Sequence, residues 1–118
     1  MNDELPVVIW HNPRCSKSRD ALKLLRNRGI EPEIIEYLKA PLTEEIVANV
    51  LSRLGLEPPE LMRTGEALYK QMRLKDEDDR DALIYAMTHN PILIERPIVI
   101  RGDGAVIGRP PEKVLKLF

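Results

Sequence analysis

One cysteine, Cys15, is all this chain has. A lone thiol excludes an internal disulfide and, with two scattered histidines beside it, a cysteine-rich zinc site. An excess of one charge is missing too, since 18 basic residues stand against 19 acidic ones. No long-range field then draws the molecule to nucleic acid or to an anionic membrane. Pairs such as Lys75–Asp76 and Asp79–Arg80 read as solvated helix surface. Apolar runs are short, and none approaches the ~20 residues of a membrane span. The opening "MNDELPVVIW" puts acidic residues ahead of a brief apolar stretch, which is the wrong charge and length for a signal peptide. A reducing cytoplasm is the expected compartment. Internal repeats, low-complexity tracts and linkers are absent. What remains is 118 residues, enough for one domain whose core needs neither disulfide nor metal.

Along the chain, Val7-Val8-Ile9-Trp10 is β-branched and apolar and reads as a buried strand, broken by Asn12-Pro13. Ser16 to Arg28 reads as a helix with Ala21, Leu22, Leu24 and Leu25 on one face and Gly29 just past its end. Glu33 to Tyr37 is a second strand, which makes a right-handed βαβ unit. The middle is helical. Thr43 caps a helix that ends at Gly55, Pro58 to Arg63 and Ala67 to Met72 are short pieces, and a further helix runs from Asp78 to His89. Ile98-Val99-Ile100 and Ala105-Val106-Ile107 around Gly102-Asp103-Gly104 predict a β-hairpin. A last helix is expected from Pro110-Pro111, burying Val114, Leu115 and Phe118. The expected class is α/β: β-α-β, a helical insertion at about 42–90, then β-β-α, all in one domain.

Cys15 sits in "HNPRCSKSRD", where the first strand hands over to the first helix. A helix N-terminus offers free N–H groups and partial positive charge, which favour both a thiolate and a bound anion. Arg14, Lys17 and Arg19 add positive charge, and Ser16 and Ser18 add hydroxyl donors. The competing reading is an inert buried cysteine, which fits poorly among polar and basic neighbours. A phosphatase-type loop needs a wider gap than the three residues between Cys15 and Arg19. A dithiol motif needs cysteine where Ser18 stands. Any oxidised product of Cys15 must therefore be resolved by an outside thiol. His11 could tune the thiolate or act as acid or base, or simply cap local backbone. His89 reads as a helix-end cation.

"HNPRCSKSR" resembles the active-site segment of the glutaredoxin-dependent arsenate reductase family, the ArsC type with a thioredoxin-like fold. "GIEPEIIEYLKAPLT", "LMRTGE", "HNPILIERPIVI" and "IGRPPEKVL" resemble further family segments, in the same order and over nearly the whole chain. The resemblance implies a central mixed sheet flanked by helices. It places Cys15 on the nucleophile and His11 on the histidine before it, with Asn12 in the same loop. Ser18 and Arg19 fall on the Ser-Arg pair after the cysteine. Arg63, Arg96 and Arg109 fall on three oxyanion-binding arginines, and Pro97 on a cis proline that faces the cysteine. Arginine's planar fork suits a tetrahedral oxyanion independently of any resemblance. The implied enzyme reduces arsenate to arsenite, with glutathione as co-substrate, glutaredoxin as partner and no bound cofactor or metal. It is expected to be a monomer without nucleic-acid or membrane partners. Two alternatives are a monothiol oxidoreductase acting on another oxyanion or on glutathione-mixed disulfides, and an Spx-type RNA polymerase-binding regulator. The latter usually senses oxidation through a cysteine pair that this chain lacks.

Overall fold

A computed structural model describes residues 5–118. They divide into two compact units, one of the residues up to Ala40 together with Arg96–Phe118, the other Pro41–Glu95. The first unit holds a four-stranded mixed sheet in the order β2-β1-β3-β4. Strand β1 (Val7–Trp10) pairs in parallel with β2 (Glu33–Ile35) and antiparallel with β3 (Ile98–Arg101), which pairs antiparallel with β4 (Gly104–Ile107). With helix α1 (Ser16–Asn27) between β1 and β2, this is the expected α/β, thioredoxin-like order.

Alternation along the strands sends Ile9 and Val99 to the same side, where they meet Ala21, Leu22 and Leu25 of α1 and Val114 near the C-terminus. Ser18, Ala21, Leu22 and Leu25 recur at helical spacing and form the buried stripe of α1. The helix closes through Gly29, whose φ of 77° lets its N–H reach Arg26 O and lets Ile30 N bond Leu25 O. The hairpin turns on Gly102, with φ 57°, the positive value a two-residue turn needs at its first position.

Two expectations at element ends change. Strand β2 stops at Ile35 because the chain turns at Glu36, whose carbonyl accepts from Lys39 N and Ala40 N. Tyr37 therefore leaves the sheet and stacks on Trp10, with ring centroids 6.1 Å apart. The C-terminal segment is a 3₁₀ run, Pro111–Leu117, and not an α-helix. Its three-residue repeat turns Pro111, Val114 and Leu117 to one side and leaves Phe118 39% exposed.

The second unit contains α2 (Glu44–Leu54), α3 (Pro58–Leu61), α4 (Ala67–Gln71) and α5 (Arg80–His89). Thr43 caps α2 by accepting from Ile46 N at 3.1 Å, and Val47, Val50 and Leu51 are buried. Helix α5 starts at Arg80, two residues later than expected, because Asp79 takes the cap position and accepts from Asp81 N. Short 3₁₀ turns at Leu74–Asp76 and Pro91–Leu93 were not foreseen. Among the described residues, no helix is long and apolar enough to cross a membrane.

Gly108 follows β4, and a Cβ built there would lie 2.9 Å from Pro97 Cγ and 3.0 Å from Val114 Cγ1. Both neighbours are buried ring or branched atoms with little room to yield. Gly108→Ala should therefore destabilise the fold by about 1–3 kcal/mol through overpacking. Urea denaturation, comparing midpoints at constant slope, checks this.

Candidate active site

Cys15 occupies the N-cap position of α1 in extended backbone (φ −96°, ψ 123°). The loop before it is closed from within. Cys15 N donates to Asn12 O at 3.0 Å, Arg14 N to Asn12 Oδ1 at 3.0 Å, and Arg19 Nη1 to Pro13 O at 2.9 Å. Asn12 and Arg19 thus shape the loop around the cysteine.

The thiol is 8% exposed. Burial pushes its pKa up and is the largest single influence. The N–H of Ser18, the hydrogen bond and charge of Arg96, and the N–H of Lys17 act in the opposite direction and win, so the pKa falls below its ordinary value. These are the free amides of a helix start plus one guanidinium distant in sequence. The cations next to Cys15 in the chain, Arg14, Lys17 and Arg19, are exposed, where solvent screens their charge.

Arg96 and Arg109 reach the cysteine through the hairpin register. Ile98 pairs with Ile107. Two residues further out, the same register sets Arg96 opposite Arg109. Gly108 N donates to Pro97 O at 2.8 Å and Arg109 Nε to Arg96 O at 2.7 Å, which locks the two segments together. The pairing of Trp10 with Ile98 lays this end of β3 beside the loop that follows β1. Arg109 Nη2 then lies 3.8 Å from Cys15 Sγ. The Arg96–Pro97 bond is cis, and so is Arg109–Pro110, which sequence reasoning did not anticipate.

Ser18 and His11 are bonded to each other. The Ser18 side chain is fully buried, and its Oγ lies 2.6 Å from His11 Nδ1 while accepting from Asn12 N at 3.0 Å. Its hydroxyl therefore serves the histidine and the loop, and only its main-chain N–H serves the thiolate. His11 is 6% exposed, and burial lowers its pKa. Glu36 works against that shift, whereas Arg26 and Arg19 reinforce it. A neutral ring accepting the Ser18 proton at Nδ1 satisfies both groups. The i, i+7 spacing of His11 and Ser18 across a loop–helix junction carries no periodic signal that could have foretold this bond.

Arg63 lies in the second unit. It is held there by Glu66 at 3.2 Å and Glu95 at 3.2 Å. Its N–H donates to Leu93 O at 2.7 Å beside the bridge between Met62 and Ile94. Glu66 is three residues from Arg63 in the chain, whereas Glu95 is 32 away. Among the described residues, no group of three or more His, Cys, Asp or Glu side chains gathers to hold a metal ion.

Fold and site together define a thioredoxin-like domain built around one stabilised thiolate. The model of the ArsC family matches residues 10–117. The uncharacterised protein YfgD of Escherichia coli K12 is 50% identical over 113 residues, 94% of this chain and 95% of that one. The arsenate reductase of Haemophilus influenzae is 44% identical over 116 residues, 97% of this chain and 100% of that one. A solved structure of arsenate reductase from Vibrio cholerae superposes with a TM-score of 0.94 at 47% identity, covering 97% of this chain and 98% of that one. The chain belongs to the ArsC family.

Arg96→Ala should raise the Cys15 pKa, because the thiolate loses a hydrogen bond and a positive charge while its burial stays. The pH profile of iodoacetamide alkylation, which follows the thiolate fraction, should move to higher pH. An unchanged profile would assign the depression to the helix amides alone.

Proposed function

We propose that this protein reduces arsenate to arsenite, with Cys15 as nucleophile. The observation that carries the reading is a thiol with a depressed pKa, 3.8 Å from the Arg109 guanidinium and hydrogen-bonded to Arg96. A thiolate and guanidinium groups at one point can bind a tetrahedral oxyanion and attack its centre. Membership of a family with named arsenate reductases supports the choice of oxyanion.

In the first step the Cys15 thiolate forms a sulfur–arsenic bond, and an arsenate oxygen, once protonated, leaves as water. Arg96 and Arg109 offset the charge on the remaining oxygens. The resemblance of "LMRTGE" is what supports Arg63 as a third oxyanion ligand. The chain holds a single cysteine, so the second sulfur comes from glutathione. Its thiolate attacks Cys15 sulfur, a disulfide forms, and the sulfur–arsenic electron pair stays on arsenic. Two thiols lose two electrons and As(V) becomes As(III). Glutaredoxin then reduces the mixed disulfide and returns Cys15 as a thiol. Cys15, Arg96 and Arg109 carry this scheme, and His11 tunes the cysteine loop through its bond to Ser18, with Asn12, Ser18, Arg19 and Pro97 shaping the site. The protein acts as a cytoplasmic monomer with no resident cofactor.

Cys15→Ser should abolish glutathione- and glutaredoxin-dependent arsenite formation, and Arg109→Ala should lower kcat/KM about 10²–10³-fold, the usual cost of losing one preorganised oxyanion donor. Coupled NADPH oxidation, with arsenite measured directly, tests both. Full activity in Cys15→Ser would overturn the scheme.

A further inference from the structure

A cleft of about 220 Å³ opens beside the cysteine loop, lined by His11, Pro13, Arg14, Glu36, Leu38 and Lys39 among others. It lies at the C-terminal ends of the parallel pair β1 and β2. Trp10 pairs with Ile35, and His11 N donates to Ile35 O at 2.8 Å, so Glu36 follows directly beside His11. The field of Glu36 at the His11 ring is a second sign of their closeness. Arg14, whose backbone is pinned by Asn12, is the residue immediately before Cys15.

The charges in this cleft have a pattern. Arg14 and Lys39 are exposed cations, and Glu36 is an anion only loosely paired with Lys39, at 3.7 Å. Leu38 and Pro13 add exposed apolar surface. One carboxylate and two cations complement a ligand end that carries an ammonium and a carboxylate side by side. A free α-amino-acid head group has that composition, and the cleft has room for it.

We propose that this cleft seats the γ-glutamyl head group of glutathione, with Glu36 taking its α-ammonium and Arg14 and Lys39 its α-carboxylate. The inference rests on the reading that an external thiol attacks Cys15 sulfur. The γ-glutamyl arm holds the head group roughly 7–8 Å from the thiol, about two residues of extended chain. Residues 11–14, which line one wall of the cleft, belong to the loop that ends at Cys15, so the cleft and the cysteine share one loop. The cleft then selects thiols by their far end, while the guanidinium groups at Cys15 select the oxyanion.

The test loads Cys15 as a mixed disulfide with thionitrobenzoate and follows release of the coloured thiolate. The attacking thiolate forms a bond to Cys15 sulfur, and thionitrobenzoate leaves with the electron pair. After correction for thiol ionisation, glutathione should react about tenfold faster than cysteinylglycine, which lacks the head group, and its rate should saturate. In Glu36→Gln, and in the double variant Arg14→Ala with Lys39→Ala, the glutathione/cysteinylglycine ratio should fall to within about twofold of unity. The ratio within each variant removes any general effect on Cys15. Equal rates for the two thiols in the wild type, or a ratio that survives both variants, would overturn the proposal. Arsenate is absent from this assay, so failure of arsenate reduction leaves the result standing. Conversely, a missing thiol preference beside intact arsenate reduction removes the subsite alone.

Discussion

A thiol that is almost wholly withdrawn from water carries a negative charge only if the protein replaces the lost hydration. That requirement organises the first unit of this molecule. Desolvation is the strongest single influence on Cys15 and opposes ionisation, yet the balance goes the other way. The compensation comes from two sources that differ in kind. One is local, the amides of Lys17 and Ser18, which any helix start leaves unsatisfied. The other is remote, the guanidinium of Arg96, delivered by a strand some eighty residues later. Helix α1 starts just after β1, and the antiparallel pairing of β3 with β1 brings the second source to that same strand end.

This division also explains what was legible in the sequence. The fold was readable because each element carries its own local signature. The β-branched run at Val7, the apolar stripe of α1, Thr43 before α2 and the Gly102-Asp103 turn all announce themselves within a few residues. The weaker readings lie where two elements compete for the same residues. Tyr37 alternates correctly for a strand, but it is drawn out by a turn and by stacking on Trp10. The C-terminal segment has apolar residues suited to either helix type, and its three-residue hydrogen bonds, such as Lys113 N to Pro110 O and Phe118 N to Leu115 O, make it 3₁₀.

At the site, the cysteine and its helix start were readable from ten residues, and the convergence of Arg96 and Arg109 follows from hairpin register once the turn is known. Side-chain destinations were not readable. Ser18 looked like a donor to the thiolate, but its hydroxyl is committed to His11 and Asn12. Arg19 read as added positive charge beside the thiolate, and its guanidinium closes the loop at Pro13 O. In both cases the residue type was informative and the direction was not. A hydroxyl or guanidinium at a loop–helix junction has several backbone and side-chain partners within reach, and only the packed structure chooses among them.

The stacking of Trp10 on Tyr37 has a practical consequence. Trp10 is the only tryptophan in the chain, is buried at 3% exposure, and immediately precedes His11. Its indole is therefore a built-in optical probe, placed one residue from the loop where anion, thiol and cysteine are proposed to meet. Emission from this single fluorophore reports on that strand end without any added label, and the indole's surroundings include a tyrosine stack that any shift of the β1–β2 junction would disturb.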